Sequence, residues 1–200
     1  MSIILLTSPG GSPGLTTTAL GLALTWPRDV ILADADPCPG HVIESGYLTG
    51  RIPPRSGLIG LAAAFRDGAD PVQAMWEETI PLPHDSEDRM VGLLSGYGHL
   101  GQASLMGAAW SSLVSAMIDL DQAGVDVIVD AGRLGPQALP ESLVARASLI
   151  GIVTGSRLRQ LAGLSMRVEE VEAMSSATTG TVGLVVVGPR SALQLTRDRS

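Results

Sequence analysis

Three short stretches hold residues whose types and spacing suit phosphate and divalent-metal chemistry. The first is "SPGGSPGLTTTALGLAL", residues 8–24, in which Gly10, Gly11 and Gly14 follow an apolar run and precede a helical pattern. Backbone N–H groups of such a loop, together with the helix N-terminus, converge on phosphate oxygens, and the Thr16 hydroxyl is placed to ligate magnesium. The second stretch is "LADADP", with Asp34 and Asp36, and the third is "VDVIVDAGRLG", with Asp130 ahead of Gly132. Carboxylates at strand ends beside a phosphate loop are oxygen ligands for a hard cation or orienting groups for water. Each stretch also has a plain reading. Glycines permit a tight turn, Asp-x-Asp-Pro favours a turn, and a strand-terminal Asp caps a helix.

The elements that must position these residues follow from hydrophobic patterning. Apolar runs of strand length, "SIILL", "VILAD", "MVGLLS", "VDVIVD", "LIGIVT" and "VGLVVVG", alternate with helical patterns. Several are apolar at consecutive positions, as in strands buried on both faces of a parallel sheet. The predicted helices are 16–26, 57–66, 71–78, 107–123 and 156–175, with Asp70 as an N-cap and Pro71 at the first helical position. "IPLPHDSEDR" reads as a surface connection, and "CPGHVIESGYLTGRIPPRSG" as a loop-rich segment with at most a short helix. In this arrangement all three chemical stretches lie at the carboxyl ends of strands, where ligands bind in open α/β sheets.

Composition narrows the function classes. A chain of 200 residues suits one domain spanning 1–200. Apolar content of 45% with 16% charged residues is globular, and no apolar stretch approaches the ~20 residues of a membrane helix. "MSIILLTS" lacks the charged flank of a signal peptide, and the lone Cys38 cannot form an intramolecular disulfide, so a soluble cytoplasmic protein is expected. His41, His84 and His99 lie far apart with no ligand at metal-site spacing. Net charge of −7 argues against broad DNA or anionic-lipid binding. All 13 basic residues are arginine, and lysine and asparagine are absent, as expected of a GC-rich bacterial genome.

The order and spacing of the three stretches resemble the ParA/MinD family of deviant Walker A ATPases, over most of the chain from Met1 to about Pro189. The resemblance implies a P-loop NTPase fold, a mostly parallel sheet flanked by helices. It also implies ATP and magnesium as cofactors, and face-to-face dimers or a protein partner. It places phosphate binding on Gly10, Gly11, Gly14, Leu15, Thr16 and Thr17, magnesium on Thr16, Asp34 and Asp130, and the catalytic, water-positioning aspartate on Asp36.

The departures from that pattern decide the functional expectation. The family's signature lysine falls on Gly10 and its phosphate-binding lysine on Leu15, while Pro13 lacks an N–H the family normally offers. "VGLVVVG" runs into Gly188, Pro189 and Arg190, where the family often presents asparagine to adenine, and the chain stops about a dozen residues later. Measured against the family, the last strand and helix are therefore expected to be truncated. An ammonium about 4 Å from a phosphate is worth roughly 4 kcal/mol at an effective dielectric near 20, and the lost donor about 1 kcal/mol more. Together they predict on the order of a thousandfold loss in affinity or rate, with Asp36 vestigial.

The expected protein is thus a catalytically degenerate relative acting through protein contacts, with no cofactor or only weak ATP and magnesium. The style of the loop together with "DADP" is similar to the TadZ/CpaE proteins, which help to localise a pilus or secretion machine. One alternative is a weak magnesium-dependent ATPase that borrows an arginine in trans. Another is dinucleotide binding, because Asp34 falls twenty residues after Gly14, although the loop is not G-x-G-x-x-G.

Overall fold

The computed structural model describes residues 3–10, 14–38, 40–51, 57–85, 88–135, 139–188 and the backbone of 194–196. Gly11 and Pro13 of the loop, and Pro189 and Arg190, lie outside the described residues. All six expected strands form: β1 (Ile3–Ser8), β2 (Asp29–Asp34), β4 (Val91–Leu94), β5 (Val125–Arg133), β6 (Leu149–Gly155) and β7 (Thr181–Val187). Two short strands join them, β3 (Thr79–Pro81) and β8 (Gln194–Thr196). The sheet order is β3-β4-β2-β5-β1-β6-β7-β8, parallel except where β3 pairs with β4 and β8 with β7.

Successive strand residues point to opposite faces, so each strand feeds two apolar layers. Ile3, Leu5, Ile31, Val127 and Val129 pack under α2 (Gly57–Arg66), α3 (Pro71–Glu78), α4 (Ala109–Gln122), α5 (Glu141–Arg146) and α7 (Val168–Ala177). Ile4, Leu6, Val30, Leu32 and Ile128 pack under α1 (Leu15–Thr25) on the other face. Burial on both faces explains why the central strands read as unbroken apolar runs. The Asp70 cap is as expected: its Oδ1 accepts the Gln73 N–H at 2.8 Å.

Three expectations need correction. The predicted helix over 156–175 is two helices, α6 (Leu158–Ser165) and α7, broken at Arg167. Gly163 and Ser165 weaken the first of them, and it buries none of its residues. "IPLPHDSEDR" is not wholly a surface connection, because β3 begins before it and ends in it, and Ile80 and Leu82 are buried. The helix expected over 107–123 begins at Ala109, after a 3-10 turn at Gln102–Met106. No helix among the described residues is long and apolar enough to cross a membrane.

Candidate functional site at the carboxyl edge of the sheet

β1 delivers the chain into the glycine-rich loop, and Gly14 starts α1 from the left-handed region at φ 81°, a conformation that favours glycine. Its carbonyl accepts the Thr18 N–H at 2.8 Å, closing the first helical turn. Leu15 follows at the first helical position and is 5% exposed, packed in the layer that contains Ile4, Leu6 and Ala19. Thr16 is half-buried beside Asp130, whereas Thr17 is exposed. On the incoming side of the loop, Pro9 is buried and Gly10 half-buried.

Strand register brings the carboxylates together. β2 pairs with β5 so that Asp34 lies opposite Asp130, and the Ala35 N–H donates to the Asp130 carbonyl at 2.8 Å. Asp34 accepts the Asp36 N–H at 3.3 Å, and Asp36 accepts the Cys38 N–H at 2.8 Å, a pair of local turns. Gly132, at φ 67°, admits Asp36 against the β5 turn: a Cβ there would stand 2.3 Å from Asp36 Oδ1. Asp130 is fully buried, with Oδ1 accepting the Gly132 N–H at 3.0 Å and Oδ2 without a hydrogen-bond partner.

No cation balances this group among the described residues, and the electrostatics follow. Burial, then the charges of Asp130 and Glu44, push the Asp34 carboxyl up to about 7. Burial raises Asp130 as well, offset in part by the Thr16 hydroxyl and the Gly132 N–H. Glu44 is a site residue that sequence reasoning missed. It sits in a single π-helical turn, Ile43–Tyr47, is 7% exposed, and keeps Oε2 without a partner. Its sequence signal was slight: an acid directly after Ile43 in a segment without periodicity.

A cavity of about 210 Å³ joins Gly14, Leu15, Thr16 and Thr17 to Asp34 and Asp36, with Gly132 and Arg133 on its far wall. The residues fit the two expected cofactors unequally. Thr16, Asp34 and the unpartnered Oδ2 of Asp130 are hard oxygen donors suited to magnesium. Among the described residues, however, no three of His, Cys, Asp and Glu are grouped to hold a metal on their own, so an ion here needs further oxygens. The triphosphate fits poorly. Leu15 presents an apolar wall, and carboxylates face the same space. Arg133, also missed from sequence, is the one arginine among the residues lining this wall, and it is shared with a second, larger cavity on the α4 side.

No protein-family model matches the chain, and no curated protein matches it. Solved structures do. A ParA family ATPase from Chlorobium tepidum superposes with a TM-score of 0.68 at 15% identity, over 92% of this chain and 73% of that one. The MinC:MinD cell division complex of Aquifex aeolicus gives 0.63 at 17% identity, over 93% and 68%. An ATP complex of a Cyanothece McdA variant gives 0.60 at 20% identity, over 93% and 70%. The fold is that of the ParA/MinD-like P-loop NTPases, a mostly parallel sheet flanked by helices.

Proposed function

We propose that this chain is a catalytically degenerate ParA/MinD-like protein that works in the cytoplasm through protein contacts, as a scaffold or localisation factor. One observation carries the reading: the loop position where the resemblance expects a phosphate-binding lysine holds Leu15, packed in the apolar layer under α1. With carboxylates on the opposite wall, a triphosphate would meet repulsion and an apolar surface in place of a cation. An interaction role is supported by Leu158, Leu161, Met166 and Val168, large apolar residues exposed on and beside α6 and α7. A pilus, secretion or partitioning system is the setting that the TadZ/CpaE resemblance favours, and the MinC:MinD neighbour is an instance of this fold meeting a protein partner. Calorimetry with ATP and magnesium is expected to give no binding tighter than about 100 μM, roughly −5.5 kcal/mol. Light scattering is expected to give a dimer, or a partner to be recovered from extract. A micromolar dissociation constant for ATP sinks the degenerate-site reading.

A second reading, a weak magnesium-dependent ATPase, is favoured by one specific feature, the retained Thr16, Asp34 and Asp130 with a free Oδ2. Magnesium-dependent turnover that depends on Asp36 separates it from the first.

A further inference from the structure

We propose that the larger cavity at the carboxyl edge of the sheet, beyond β2 and β5 and against the start of α4, binds a small aromatic acid. It encloses about 580 Å³, well inside the range of small-molecule pockets, and lies outside strand ends as ligand crevices of open α/β sheets do. Its walls include two rings, Tyr97 and Trp110, with Ser104 on the 3-10 turn and Ser111 on α4. Tyr97 is 3% exposed, yet its hydroxyl makes no hydrogen bond to a described residue. A phenol is protonated near neutral pH, so this hydroxyl is a donor without an acceptor beside the apolar part of the wall.

The anion preference comes from Arg133. Its guanidinium is exposed and has neither an ion pair nor a hydrogen bond among the described residues. It follows Gly132 at the turn between the two cavities and lines both. On the loop side, an anion would face Asp34 and Asp36, whereas on the larger side Glu141 is the single carboxylate among the lining residues. An acid is therefore better served on the α4 side, where a planar guanidinium offers paired donors and the two aromatic side chains offer ring faces. Gly14 and Thr16 line the other cavity, and Arg133 is the one lining residue the two have in common.

The test is an amide and indole N–H titration by NMR with salicylate, and with 2-hydroxybenzyl alcohol as its neutral counterpart. The Trp110 indole resonance is expected to shift saturably with salicylate, with a dissociation constant of roughly 0.1–3 mM, while Trp26 and Trp76 stay in place. Arg133→Gln is expected to weaken salicylate about tenfold and leave the alcohol unchanged, the effect of removing one charge-assisted contact. Ser111→Leu, which places a larger side chain on the cavity wall, is expected to weaken both. A Trp110 resonance that does not saturate by about 20 mM salicylate overturns the proposal, as does equal salicylate affinity in Arg133→Gln or equal shifts at all three tryptophans.

Discussion

Asp34 offers the sharpest test of the carboxylate group at the sheet edge, which has no ion pair among the described residues. Its carboxyl titrates near 7 in the fold against 3.8 for an ordinary aspartate, because it is buried beside Asp130 and Glu44. Between these two values the folded chain holds a proton that the unfolded chain has released, so stability falls as pH rises through the window. One pKa unit is about 1.4 kcal/mol, which makes the full penalty on the order of 4 kcal/mol above about pH 7. Over half of it develops between about pH 5 and pH 7. Asp130 shifts in the same direction and adds to the slope. Asp34→Asn removes the charge and keeps Oδ1 as acceptor for the Asp36 N–H. The variant is therefore expected to be more stable than the parent by about 2–4 kcal/mol at about pH 8, with a smaller gain at about pH 5.

Urea unfolding followed by circular dichroism, at both pH values and in the presence of a chelator, measures the difference directly. Adding magnesium then tests whether these acids hold an ion. An ion held by Asp34, Asp130 and Thr16 raises the stability of the parent at the higher pH, and Asp34→Asn loses that response. A variant less stable than the parent at the higher pH, or a difference that does not change with pH, refutes the account of Asp34 as an uncompensated buried acid.

Three further outcomes follow from the same geometry. Gly132→Ala places a Cβ 2.3 Å from Asp36 Oδ1 at a φ of 67°, and should lower stability by about 1–3 kcal/mol in thermal or urea unfolding. Asp70→Ala removes the acceptor for the Gln73 N–H and should cost about 1 kcal/mol by the same measurement. Leu15→Lys should not produce ATP hydrolysis, because Gly10 still stands where the signature lysine would be and Pro13 still lacks an N–H. Strong magnesium-dependent turnover in that single variant, lost again in Leu15→Lys with Asp36→Ala, would show that the catalytic frame is intact.

The parallel core was legible because its physics is local. A strand buried on both faces must be apolar at nearly every position, and β1, β4, β5 and β6 announce themselves that way. Helices α2 and α3 match their expected bounds because their apolar periodicity, with Pro71 opening α3, marks where they run. β3 was hidden, since three residues containing a proline carry almost no strand signal and form only by pairing antiparallel with β4. α5 is six residues long and lacks a side-chain cap, so packing of Leu143 and Val144 selects it rather than propensity.

The site divides along the same line. Asp34 and Asp130 could be placed together because residues ending adjacent parallel strands share an edge, and their pairing in register is a property of the sheet. Glu44, Tyr97, Trp110 and Arg133 could not, since each reaches the edge from a different connection whose course depends on what it packs against. Glu44 enters because Ile43 and Leu48 bury a segment that otherwise looks like solvated loop. Its arrival alters the chemistry, because Asp34, which faces Asp130 at the strand ends, has the charge of Glu44 against it as well as that of Asp36. Arg133 supplies positive charge at this edge, directly after Gly132, and lines both the cavity that Leu15 borders and the one that the phosphate loop does not line. On the loop side that guanidinium meets Asp34 and Asp36, and on the α4 side the single carboxylate of Glu141. On that ground, introducing a cation at Leu15 and removing the one at Arg133 should act on different ligands.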